Sequence, residues 1–157
     1  MKIFDATAVI AFLSEMRCPD GLEKLSRHYE IIIPEGVVGE ITRSPGKEVL
    51  QDLANRKVVK IVKVDQQATS KVMNAYPQLH LGECEVITYA QTYAGEKKTC
   101  IVSDDSKARK IFQKLNFKWT ERLLDIMKEK GIIDPKEHEA KTKLLENSPF
   151  YSRNRKK

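Results

Sequence analysis

Five carboxylates stand where apolar structure begins or ends: Asp5, Glu40, Glu83 and the adjacent Asp104 and Asp105. Asp5 follows Ile3-Phe4 and precedes the apolar run from Ala8 to Leu13. That order reads as a short buried strand ending in an acid, then a helix packed back on the sheet. Glu40 lies at the margin of a helical stretch, 35–42, whose inner face carries Val37, Val38 and Ile41. Glu83 sits in the first turn of the stretch 82–94, in phase with Ile87, Ala90 and Ala94, whereas Glu85 falls with Thr88, Tyr89 and Thr92 on the other side. Asp104 and Asp105 close the apolar stretch 99–104 and open a helix whose inner stripe is Ala108, Ile111, Phe112 and Leu115.

Taken singly, each acid has an ordinary role. Asp5, Asp104 or Asp105 can cap a helix N-terminus, Glu83 can complement a helix dipole, and Glu40 can be a solvated charge. Taken together they point to cation chemistry. Two carboxylates about 4 Å apart repel by about 4 kcal/mol at an effective dielectric near 20, so a shared crevice calls for protons or a cation. Hard divalent ions such as Mg²⁺ or Mn²⁺ take carboxylate oxygens and keep several waters. Such ions activate water and neutralise charge on a phosphoryl group.

The rest of the chain must carry these acids to one place. Apolar stretches at 29–34, closed by Pro34, and at 58–64, with lysines along one side, read as a buried and an edge strand. Helical patterns occupy 17–26, 49–54, 66–76 and 82–94, the last closed by Gly95, and Ser44-Pro-Gly46 breaks the chain. Two more helices follow Lys118, at 120–130, stopped by Gly131, and at 135–145, opened by Pro135. Strands alternating with helices imply an α/β fold: a three-layer α/β/α arrangement with a mostly parallel central sheet and C-terminal helices. In such sheets reactive groups gather at the carboxyl ends of the strands. With the first strand central, Asp5 stands at that edge. One domain is expected over 1–146, followed by a basic tail, 147–157, frayed or ordered only on binding.

Composition narrows the partners. The 157 residues carry a formal net charge of +6, which suits a polyanion such as nucleic acid and equally a surface kept soluble by charge. Three cysteines, Cys18, Cys84 and Cys100, fit neither a disulfide framework nor a zinc site, so a reducing, cytoplasmic setting is expected. No apolar run approaches membrane-spanning length and no signal peptide opens the chain, so no membrane partner is expected.

Against that background the sequence resembles a PIN-domain nuclease over nearly its whole length. Ile3-Phe-Asp5-Ala-Thr7 resembles the opening strand with Asp-x-Ser/Thr. Ile33-Pro34-Glu-Gly-Val37-Val-Gly-Glu40-Ile41 resembles the second motif, and Leu81-Gly-Glu83-Cys-Glu85-Val-Ile-Thr-Tyr-Ala90 the third, in its prokaryotic form. Ile101-Val-Ser103-Asp104-Asp105 resembles the fourth, and Leu123-Leu-Asp-Ile-Met-Lys-Glu-Lys-Gly131 the helix after it. The resemblance implies a Mg²⁺- or Mn²⁺-dependent endoribonuclease cutting single-stranded RNA, with Asp5, Glu40, Glu83 and Asp105 as the catalytic acids. Asp5, Glu83, Asp105 and the neighbouring Asp104 are its candidate metal ligands, and Thr7 and Ser103 its polar supports. Glu83 takes the third position over Glu85 by helical phase, and Asp105 precedes Asp104 by motif register. Where that branch has Gly-Thr, this chain has Trp119-Thr120, so Trp119 either packs or narrows the crevice. Small stand-alone PIN proteins that resemble VapC toxins dimerise and are held by an antitoxin. A homodimer and an antitoxin partner are therefore expected, with the Leu123–Met127 stripe and the helix at 135–145 as contact surfaces or as ordinary core.

Two other readings compete. A haloacid-dehalogenase-type phosphatase also begins with a strand ending in Asp, but it needs a second Asp where this chain has Thr7, and no cap domain is evident. A PIN-fold module that binds RNA or acts as a scaffold without catalysis would keep the fold, and saturable manganese binding separates it from the enzyme.

Overall fold

The computed structural model describes residues 1–42, 45–93 and 99–148. The expectations for Ser44, Ala94, Gly95 and the tail from residue 149 lie outside the described residues. Five short strands form one all-parallel sheet: β1 (Lys2–Phe4), β2 (Ile31–Pro34), β3 (Lys60–Val62), β4 (Cys100–Val102) and β5 (Phe117–Lys118), in the order β3-β2-β1-β4-β5. Helices on both faces complete a three-layer α/β/α arrangement. They are α1 (Ala6–Ile10), continued by a π-helical turn (Ala11–Glu15), α2 (Pro19–Ser26), α3 (Glu35–Glu40), α4 (Gly46–Asn55), α5 (Gln66–Ala75), α6 (Leu81–Thr92), α7 (Ser106–Ile111), α8 (Thr120–Glu129) and α9 (Pro135–Glu146).

The strand order makes the site. The chain winds from β1 outward through β2 to β3, then returns to the other side of β1 with β4 and β5. The direction reverses between β1 and β4, the place where open parallel sheets form a crevice at their carboxyl edge. Ile3 pairs with Ile32 on one side and Ile101 on the other, and Phe4 pairs with Val102. Asp5 and Ser103, the next residue on each of these two strands, therefore emerge side by side. The strands are almost wholly apolar because both faces are covered: Ile3, Phe4, Ile32, Ile33 and Val102 are fully buried. Phe12, from the π-helical turn, meets Phe4 edge to face with ring centres 5.7 Å apart. Such pairs add to plain area burial.

The edge reading of the third strand holds, since β3 is outermost and only partly buried. The fifth strand is absent from the sequence reading; two residues carry too little periodicity to mark it. The stripe on α8 is core and not contact surface, with Leu123, Leu124 and Met127 buried to 1% exposure or less. Gly131 ends α8 with φ +66°, a conformation that favours glycine. All three cysteines are free and buried.

Candidate active site at the carboxyl edge of the sheet

Asp5 is the N-cap of α1. Its Oδ1 accepts from the Ala8 amide at 2.9 Å and from the Thr7 hydroxyl at 2.7 Å. Its Oδ2 accepts a short hydrogen bond from the Ser103 hydroxyl, across the β1–β4 crevice. The two hydroxyls are themselves held. Thr7 Oγ1 accepts from the Asp104 amide at 2.9 Å, and Ser103 Oγ accepts from the Asp105 amide at 3.1 Å. The loop after β4 is thus laced to the end of β1 through Thr7 and Ser103. Burial, opposed by these bonds and reinforced by the charge of Asp104, pushes the Asp5 carboxyl up from 3.8 to about 7.

Asp104 and Asp105 diverge at once. Asp104 is buried, and its two oxygens accept from the Thr120 amide at 2.8 Å and the Thr120 hydroxyl at 2.5 Å. It ties the loop to the start of α8. Asp105 is half-buried and caps α7, accepting from the Lys107 amide at 2.6 Å. Glu83, also half-buried, reaches back to the His80 amide at 2.8 Å in a capping box at the start of α6. Burial raises the Glu83 carboxyl above its ordinary value, and the charge of Asp105 adds to the rise. Glu83 and Asp105 therefore feel each other, as do Asp5 and Asp104. Glu40 is exposed at the end of α3, and its Oε1 accepts from the Gly82 amide at 3.0 Å. Glu85 points elsewhere: its Oε2 accepts from the Gly36 amide at 2.6 Å.

Helical phase is a poor reason for separating Glu83 from Glu85, because α6 is covered on most sides. Cys84, Val86, Ile87, Thr88 and Ala90 are all buried, so no clean outer face exists. The separation comes from partners: Glu83 faces Asp105, and Glu85 faces α3.

Two residues of the site carry no role in the sequence reading. Thr120 anchors Asp104, and the Gly-Thr likeness was its only signal. Arg109 lies behind the acids, with its guanidinium carbon 3.9 Å over the Trp119 ring and 5.4 Å over Phe117. Burial lowers its pKa while Asp104 and Asp5 pull it back up. Trp119 thus packs against a cation at the back of the site. Nothing in spacing announces such a stack.

A family model described as a PIN domain matches residues 1–156. The chain belongs to the PIN-domain family. PIN domains are generally nucleases, hydrolases that act on nucleic acid, and this PIN domain has the fold for that work. No curated protein and no solved structure matches the chain significantly. Among the described residues, no helix is long and apolar enough to cross a membrane.

The donor set of this PIN domain suits a hard cation. Its charged oxygens at the edge are carboxylates, and two of them, Asp5 and Glu83, are held in surroundings that disfavour their charge. The crowding is looser than four acids in one pocket would give. Among the described residues, the only three acid, cysteine or histidine side chains with donor atoms mutually within 4.8 Å are Cys18, Asp20 and Glu137, at the α2–α9 seam. At the edge, hydroxyl and amide donors fix the carboxylates one by one. An ion such as Mg²⁺ asks for no tighter cluster, since it is bound through one or two carboxylates and its own waters.

Proposed function

We propose that this PIN domain is a metal-dependent endoribonuclease that cuts single-stranded RNA. One observation carries the reading. Asp5, with its carboxyl pushed up to about 7, stands at the switch point of the sheet, and Glu83 and Asp105, at the starts of α6 and α7, feel each other's charge. Buried carboxylates gain most from a cation that removes the cost of their charge. Asp5, Glu83 and Asp105 would hold Mg²⁺ or Mn²⁺. The ion would supply an activated water and neutralise charge on the scissile phosphate. Glu40, exposed and fixed through one oxygen, would use the other to orient the attacking water. Thr7 and Ser103 hold Asp5 in place, and Asp104 with Thr120 holds the loop that carries Asp105.

Asp104 anchors the loop in this reading, its two oxygens accepting from the Thr120 amide and hydroxyl, and like Asp5 it keeps acceptor sites for an ion. The net charge of +6 supports an RNA substrate, because cations on the surface bind the flanking phosphates.

Cleavage of a labelled single-stranded RNA in manganese buffer tests the proposal, with Asp5→Asn as the control. The parent should cut, leaving a 5′-phosphate, and Asp5→Asn should lose more than about 100-fold, beyond what outer-shell changes at metal sites cost. Equal rates for the two proteins would refute it.

A further inference from the structure

We infer that Glu85 is a positioning residue for the nuclease site, acting through α3 on Glu40, an inference that rests on the nuclease reading for its catalytic part. The reason begins with α3. It has six residues, includes Gly36 and Gly39, and starts at Pro34, which offers no side-chain cap. An isolated helix needs roughly 12–15 residues to be even marginally stable, and glycines weaken it further. Something outside α3 must hold it if Glu40, its last residue, is to stay aimed.

The hold is a reciprocal clasp with α6. At one end Glu85, on α6, accepts from the Gly36 amide at 2.6 Å, one of the orphan donors of the first turn of α3. At the other end Glu40, on α3, accepts from the Gly82 amide at 3.0 Å, an orphan donor of the first turn of α6. Each helix start is capped by a glutamate of the other helix. Both glycines leave room for the glutamate tips to come this close. A Cβ at Gly36 would lie 2.9 Å from the Glu85 carboxyl carbon and 3.1 Å from Leu81, and one at Gly82 would lie 2.5 Å from Glu40 Oε1. At contacts under 3.0 Å something must shift, and here it is the glutamate tips that make the clasp.

The two glutamates therefore have different jobs in matched positions. Glu40 needs its charge, whereas Glu85 needs only an oxygen that accepts from Gly36. Glu85→Gln keeps such an oxygen and loses the charge. Glu85→Ala loses both. Gly36→Ala leaves every acid in place and pushes the clasp open.

The test measures kcat and KM on single-stranded RNA, Mn²⁺ affinity by calorimetry, and amide hydrogen exchange at Gly36 and Gly82. Glu85→Gln should match the parent in all of them. Glu85→Ala and Gly36→Ala should lower kcat by about 10-fold or more with KM little changed, as expected for a misplaced catalytic group. Both should speed exchange at Gly82, the amide that Glu40 holds, and not only at Gly36. A Glu85→Gln protein as impaired as Glu85→Ala would overturn the inference and make Glu85 a ligand. Parent-like kcat and Gly82 exchange in Gly36→Ala would overturn it too. If the parent cuts no RNA, the nuclease reading fails by itself, and exchange at Gly82 still decides whether Glu85 positions Glu40.

Discussion

Two acid clusters in this molecule are handled in opposite ways. At the α2–α9 seam, Cys18, Asp20 and Glu137 bring donor atoms within 4.8 Å of one another. An ammonium already serves them: Lys24 Nζ is 2.8 and 2.7 Å from the two Glu137 oxygens and 3.7 Å from Asp20. At the carboxyl edge of the sheet, no salt bridge among the described residues reaches Asp5, Glu40, Glu83 or Asp105. Those acids are held by hydroxyls and by amides at helix starts, donors that fix an oxygen without cancelling its charge. The tighter cluster is thus the one that needs no ion. Proximity of acids is a weaker sign of a metal site than acids without a salt bridge where burial penalises their charge.

The comparison can be broken first through pH. In the unfolded chain Asp5 ionises near 3.8, and in the folded protein near 7, so between these values the folded state binds more protons. Stability should therefore fall as pH rises from about 4 to about 7. At roughly 1.4 kcal/mol per pH unit the ceiling on that loss is about 4 kcal/mol. Asp5→Asn should flatten the profile, read as melting temperature against pH without divalent ions. A parent profile that rises through this window would show that Asp5 is not the burdened group.

A smaller effect is expected at the anchor. Thr120→Val keeps the amide that Asp104 Oδ1 accepts from but removes the hydroxyl bond to Oδ2, and should cost about 1–3 kcal/mol of unfolding free energy in urea. Cleavage should weaken as well, since the loop carrying Asp105 loses the hydroxyl half of its tie to α8. A Thr120→Val protein as stable as the parent would remove Asp104 from the scaffold.

The smallest effect belongs to the seam. Lys24→Met breaks a partly exposed ion pair and should change stability by less than about 1 kcal/mol. Cleavage and manganese affinity should stay at parent values. A loss of manganese binding in Lys24→Met would mean that the seam, not the sheet edge, takes the ion.

Much of this was legible in the residues. The parallel sheet, the edge strand and the start of α7 at Asp105 follow from apolar runs, turn residues and acids, because period and burial leave marks in sequence, whereas the central place of β1 was a condition that the strand order supplies. The Asp105 helix is shorter than its stripe implied: α7 ends at Ile111, and Phe112 and Leu115 pack beyond it. The β5 strand and the Arg109–Trp119 stack left no mark, since both depend on which distant segments meet. The same holds for the Glu85–Gly36 and Glu40–Gly82 bonds. Asp5 and Asp105 also perform the ordinary capping that a sequence suggests for them, and Glu83, expected to complement a helix dipole, closes a capping box as well. Capping and cation binding are compatible because a carboxylate has more acceptor sites than one cap uses.

Calorimetric titration with Mn²⁺ at pH 7.5, on the parent and on Asp5→Asn and Glu83→Gln, tests the central claim most directly. The account predicts saturable binding in the parent and its loss in both variants, with their folds intact by circular dichroism. Equal binding in all three proteins, or none in the folded parent, would contradict it.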